Sequence, residues 1–125
     1  MNRVDANVVL RYLLNDHRQL SEKAARIIEN NHLHISFEVI AEIVYVLMGV
    51  YKVTRTEISK TMTEFLQANS ISTDDDAVAA AALELLASKK IDFVDAILCA
   101  YHNIREDTIF TLDRTIKKLM KEQKS

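Results

Sequence analysis

Acidic residues recur where short apolar runs give way to helical spacing. Asp5 follows Asn2-Arg3-Val4, Asp92 and Asp95 follow the junction at Ile91, and Asp113 follows the run from Thr108 to Thr111. Glu42 lies about one and a half turns into the helical pattern that begins near Phe37. Taken singly, each has an ordinary explanation. Asp is among the best helix N-caps, and Asp5, Asp92 and Asp113 each stand just before a helical pattern, with Asp95 placed to complete a capping box with Asp92. Glu42 sits amid Val39, Ile40, Ile43, Val44 and Val46, where its ordinary explanation is an exposed edge of the helix. Taken together they describe a chemistry. Carboxylates gathered from distant positions raise one another's pKa unless a cation offsets them. A hard divalent cation, Mg²⁺ or Mn²⁺, does so with oxygen ligands and retained water. The two explanations overlap, because a cap at the carboxyl edge of a sheet already lies where such a cation would sit.

The surrounding pattern is what would bring these acids together. Asn2–Asp5 reads as a short strand, followed by helices over about Ala6–Asn15 and Gln19–Asn30, the second with Leu20, Ala24, Ile27 and Ile28 inward. His32–Ser36 alternates as a second strand. Phe37–Tyr51 and Thr54–Asn69 follow as helices, and Ser70–Thr73 as a third strand. Asp74-Asp75-Asp76 opens an Ala-rich helix to Ser88, where negative charge suits the unpaired N–H groups and the macrodipole. A helix over Asp92–Arg105, a fourth strand at Thr108–Thr111 and a last helix from Asp113 complete the chain. Strands alternating with helices, over connections too long for hairpins, imply an α/β class. The expectation is a short parallel sheet of about four strands covered by about seven helices. Function in such sheets collects beyond the carboxyl ends of the strands.

Composition narrows the options further. The 125 residues carry 16 Lys+Arg and 18 Asp+Glu, a net charge of −2, with 49% hydrophobic and 27% charged residues. This fits one domain over residues 1–125 with a core of its own. One glycine and no proline leave turns to Asn, Asp, Ser and Thr, and exclude Walker loops and dinucleotide fingerprints. A single cysteine, Cys99, excludes a disulfide framework and a Cys-based zinc site. With no signal-peptide pattern and no membrane-length apolar run, the expected compartment is the cytoplasm. The slight negative charge means that a nucleic-acid partner must be held locally, by basic residues or bound cations.

Four ordered segments carry a resemblance: Val4-Asp5-Ala6-Asn7-Val8-Val9-Leu10-Arg11-Tyr12-Leu13-Leu14, Val39-Ile40-Ala41-Glu42-Ile43-Val44-Tyr45-Val46-Leu47, Asp92-Phe93-Val94-Asp95-Ala96-Ile97-Leu98 and Phe110-Thr111-Leu112-Asp113. In that order, across nearly the whole chain, they resemble the PIN domain and, within it, the VapC-like toxins. The resemblance implies a three-layer fold and a metal-dependent endoribonuclease, the toxin of a type II toxin–antitoxin pair, often dimeric and neutralised by a small antitoxin protein. Carried over by position, it places Asp5, Glu42, Asp95 and Asp113 on the acids that hold Mg²⁺ or Mn²⁺. Asn7 and Thr111 fall on polar positions lining the same site, and Asp92 on a further acid.

The chemistry expected of such a site is hydrolysis of an RNA phosphodiester by metal-activated water, leaving 5′-phosphate and 3′-hydroxyl ends. Arg11 and Arg114 are placed to contact RNA, with Lys89, Lys90, Lys117 and Lys118 further out. His17, His32, His34 and His102 are scattered and receive no catalytic role. Tyr45, Val46, Val50 and Tyr51, with Ile58, Met62, Phe65 and Leu66, either pack the two middle helices or form a dimer or antitoxin face. Two other readings stay open at this point: a catalytically silent PIN-like binding module, and a receiver-like phosphoacceptor domain. The latter would want a lysine where Thr111-Leu112-Asp113 offers an acid.

Overall fold

The computed structural model describes the backbone of residues 1–124 and the side chains of residues 1–120. Three parallel strands, β1 (Asn2–Arg3), β2 (Leu33–Ile35) and β3 (Ser72–Thr73), lie in spatial order β1-β2-β3. Asn2 pairs with Leu33, Arg3 with His34, His34 with Ser72, and Ile35 with Thr73. Helices α1 (Ala6–Leu14) and α2 (Arg18–Glu29) connect β1 to β2, and α3 (Phe37–Gly49) and α4 (Arg55–Ala68) connect β2 to β3. Helices α5 (Asp76–Ser88), α6 (Phe93–Arg105) and α7 (Arg114–Lys124) follow. The α/β class and the helix count match the expectation from sequence.

The fourth strand does not form. Residues 106–113 carry no strand pairing, and Phe110 and Leu112 stand 94% and 96% exposed. The segment has strand-like composition, but a strand exists only where a neighbour takes its ladder bonds, and among the described residues none pairs with this one. A second departure concerns α2, which buries Ser21, Ala24 and Ile28 and leaves Leu20 and Ile27 at 43% and 37% exposure. This helix packs chiefly on α1, so one narrow stripe suffices. Within that contact the Ser21 hydroxyl donates to the Arg11 carbonyl at 2.9 Å.

The core is built around α5, which buries Val78, Ala79, Ala82, Leu83, Leu85 and Leu86 and packs against α4 and α6. The facing stripe of α6 is also small, with Ala96, Cys99 and Ala100 buried. Small side chains let two helix axes approach closely, which explains the alanines of this region better than helix propensity does. Ile116 and Leu119 bury α7 against α6.

The acidic run 74–76 is wholly structural. The Asp76 carboxylate accepts from the Thr73 amide at 2.9 Å and the Thr73 hydroxyl at 2.7 Å. Asp75 caps α5 through the Val78 amide at 3.2 Å and takes both arms of Arg105, at 2.8 and 2.9 Å. Asp74 accepts from the first amide of α3, at Phe37, at 2.8 Å, and its other oxygen meets His34 Nε2 at 2.9 Å. His34 Nδ1 in turn lies 2.9 Å from the Ser72 hydroxyl. His34 therefore ties β2 to β3, and Asp74 ties the end of β3 to the helix that carries Glu42.

Candidate functional site

Asp5 lies just past β1 with extended backbone, and its Oδ1 accepts from the Val8 amide at 3.0 Å, so it caps α1 as the sequence suggests. One turn on, Asn7 and Arg11 share the exposed side of α1, while Ala6, Val9 and Leu10 are buried. Glu42 stands on the exposed side of α3, whose buried face is Phe37, Ile40, Ile43, Val44 and Leu47. Since α1 packs on α3, these residues meet. Asp5, Asn7, Arg11 and Glu42 line one cavity of about 490 Å³, together with Leu10, Leu14, Val46, Val50 and Tyr51.

A second group of acids forms where α6 begins. Asp92 occupies the N-cap position but makes no side-chain cap bond, unlike Asp5. Asp113 caps α7, its Oδ1 accepting from the Thr115 and Ile116 amides at 2.8 and 3.1 Å. Thr111 shapes that turn, its hydroxyl oxygen accepting from the Asp113 amide at 3.0 Å. Asp95, in the first turn of α6, is half-buried and accepts no hydrogen bond among the described residues, so the capping box with Asp92 does not form. Burial pushes the Asp95 carboxyl above the usual carboxylate range, and the negative charges of Asp92 and Asp113 push it further. Burial likewise raises the Cys99 thiol, four residues along the same helix, with Asp95 and Asp113 adding to the effect. Negative charge from two segments thus converges on Asp95.

The two groups flank α3, which contacts both α1 and α6. Among the described residues, no three His, Cys, Asp or Glu side chains stand close enough to form a preassembled metal cluster. The donor chemistry nevertheless fits a hard cation. The donors are carboxylate oxygens, Asp95 lacks a donor partner, and Mg²⁺ is commonly held by only one or two carboxylates with its remaining positions filled by water. Arg114 opens α7 exposed and forms no ion pair among the described residues.

Arg55 plays a part that spacing did not reveal. Its Nη1 donates to the carbonyls of Leu86, Lys89 and Ile91 at 3.3, 3.1 and 2.7 Å, gathering the end of α5 and the approach to Asp92 on one guanidinium. Only the position of Arg55 at the start of an amphipathic helix was visible beforehand; carbonyl partners more than 30 residues away leave no periodic trace. The place of Tyr51 and Val50 beside Asp5 and Glu42 was also hidden, because both read equally well as helix-packing residues.

A PIN domain family model matches residues 4–122. No curated protein and no solved structure gives a match.

Proposed function

The chain belongs to the PIN domain family, a superfamily of nucleases that often serve in toxin–antitoxin systems and generally use divalent metal ions, and from that premise we propose that it is a metal-dependent endoribonuclease, the VapC-like toxin of a type II toxin–antitoxin pair. The observation that carries the reading is Asp95: half-buried, without a hydrogen-bond donor, and set against the like charges of Asp92 and Asp113. A carboxylate kept in that position serves no cap and costs stability, which suits a ligand waiting for its cation.

In this reading Asp5, Glu42, Asp95 and Asp113 hold Mg²⁺ or Mn²⁺, with Asn7, Asp92 and Thr111 lining the site. When bound, the cation supplies an activated water and screens charge on the phosphate oxygens. The protein's own residues supply position. The caps that Asp5 and Asp113 make fix their carboxylates at helix N-termini, while Arg55 holds the segment that delivers Asp92 and Asp95. Residues 1–125 act as one nuclease domain, and a cytoplasmic location, a second copy of the chain and a cognate antitoxin belong to the same proposal. No helix among the described residues is long and apolar enough to cross a membrane.

The test maps new RNA ends across a transcriptome after induction of the wild type and, separately, of Asp95→Asn. Discrete 5′-phosphate ends confined to the wild type are expected. Ends bearing cyclic 2′,3′-phosphates would contradict metal-activated water. Identical maps from two folded, expressed proteins would favour the silent binding module. Family membership takes the place of the receiver-like alternative.

A further inference from the structure

The cavity beside Asp5 and Glu42 is larger and more varied than cation binding requires. Asp5, Asn7, Arg11 and Glu42 give its lining polar and charged groups, and Val50 and Tyr51 belong to the same lining. Tyr51 is 44% exposed and Val50 65%. Among the described residues the ring contacts are Tyr12 with Phe65 and Phe37 with Tyr101, so the Tyr51 ring stacks on nothing. The backbone that carries it is tied down. α3 ends in a tight turn in which the Tyr51 amide reaches the Val46 carbonyl at 3.3 Å and the Val53 amide reaches the Leu47 carbonyl at 2.9 Å. Lys52 takes a left-handed backbone conformation, φ 56°, to close that turn.

Arg11, in the same lining, is held by Asp16 through one nitrogen, Nη1 to Oδ1 at 3.1 Å. A guanidinium has five N–H donors, so the remaining ones are free to meet an anion. An open ring face, a positioned guanidinium and two proposed metal ligands, Asp5 and Glu42, in one lining suit a ligand that joins a flat base to a phosphate. At about 490 Å³ the space is within the usual range for a small-molecule site.

We infer that the part of this cavity lined by Tyr51 and Arg11 is a nucleotide subsite: an unpaired base next to the cleaved phosphodiester stacks on Tyr51 while Arg11 contacts a phosphate of the same strand. The inference rests on the nuclease reading and adds to it which residues select the position of the cut. A base within a duplex already has both faces covered, so the subsite takes single-stranded or loop RNA. Asp5, Asn7, Arg11 and Glu42, set beside Leu10, Leu14, Val46, Val50 and Tyr51, suit a nucleotide, which carries an apolar base face and a charged phosphate in one ligand.

The chain contains no tryptophan, so Tyr51→Trp places one fluorophore in the lining. In an Asp95→Asn background, which removes cleavage, a short single-stranded RNA should quench this fluorescence saturably. The same RNA in a duplex, or with abasic sites, should bind at least tenfold more weakly and quench little. With the native residue at 51, Tyr51→Ala should weaken RNA binding roughly 5- to 150-fold, the range expected for losing one base–aromatic stack. Tyr51→Phe should bind as the parent does, which separates stacking from a folding defect. Arg11→Ala should weaken all sequences alike and reduce the salt dependence by about one phosphate contact.

Cleavage by the wild type together with RNA affinity indifferent to Tyr51→Ala would overturn the subsite and leave the nuclease standing. Failure of the wild type either to bind or to cut RNA would overturn both. If Tyr51→Ala abolished binding of the cognate antitoxin but left RNA affinity intact, this part of the cavity would belong to a protein partner and the inference would fall.

Discussion

Asp95 is the residue at which stability and proposed chemistry pull in opposite directions. Its carboxyl holds a proton more tightly in the folded chain than in the unfolded one, because of burial first and the charges of Asp92 and Asp113 second. Stability on its account is therefore fully present at low pH and is lost as pH rises through the raised value. Without divalent cations, Asp95→Asn should raise the thermal midpoint at pH 7, by an amount on the order of 1 kcal/mol or about 4 °C. Adding Mg²⁺ should raise the wild-type midpoint and leave the variant's unchanged. An equal response in both, seen in thermal scans against Mg²⁺ concentration, would remove Asp95 from the ligands. Asp95→Glu should also abolish cleavage, because an added methylene misplaces an oxygen around an ion with strict octahedral demands.

Asp75 has the opposite sign. The two-armed Arg105 contact, aided by the α5 cap and outweighing the effect of burial, holds its carboxyl down to about 2. The stability it lends is present above the ordinary carboxylate pKa and disappears as pH falls toward 2. Arg105→Ala should therefore lower the midpoint at pH 7 and flatten the acid limb of a stability–pH curve between about pH 4 and pH 2. At the residue scale, sequence marked these acids as candidates but could not tell which serve as caps. Asp5 and Asp113 cap, whereas Asp92, in the same sequence context, does not. A cap depends on a side-chain rotamer that spacing does not encode.

At the scale of elements, the helices were legible because most have a capping residue and an apolar stripe: Ser36 before α3, Thr54 before α4 and Asp75 before α5 each accept a bond from the third amide beyond. The strand at Thr108–Thr111 was misread because composition cannot report whether a neighbour exists. Turn chemistry was partly legible. With one glycine available, left-handed positions fall to Asn15 and Ser70, as expected of small polar residues, but also to Lys52 and Glu106. The glycine itself occupies none of them. Gly49 is the last residue of α3, and a methyl group there would meet nothing within 4 Å. Gly49→Ala should thus stabilise the chain by about 0.5–1 kcal/mol, since helical glycine carries excess unfolded-state freedom. A denaturant midpoint that moves the other way would show that the end of α3 must flex.

Across the whole molecule, the sheet is minimal: strands of two, three and two residues. Helix packing, not ladder hydrogen bonding, sets where the strand ends lie, and α5 with α6 is the largest part of that packing. Cys99 reports on it directly. Fully buried on α6, with its thiol pushed up by burial and by the acids, it should resist alkylation in the native protein. Labelling that proceeds at the rate of global unfolding is expected; fast labelling would show that α6 opens alone.

The exposed stretch between α6 and α7 has a bearing on how the molecule can be taken apart. Phe110, at 94% exposure and outside any helix or strand, is an inviting bond for chymotrypsin. One nick after it would separate Asp113 from every other proposed ligand, while Ile116 and Leu119 could still hold the severed helix on the body. Two fragments that remain together would then form a split protein, in which a single carboxylate could be withdrawn and restored by exchanging a short peptide.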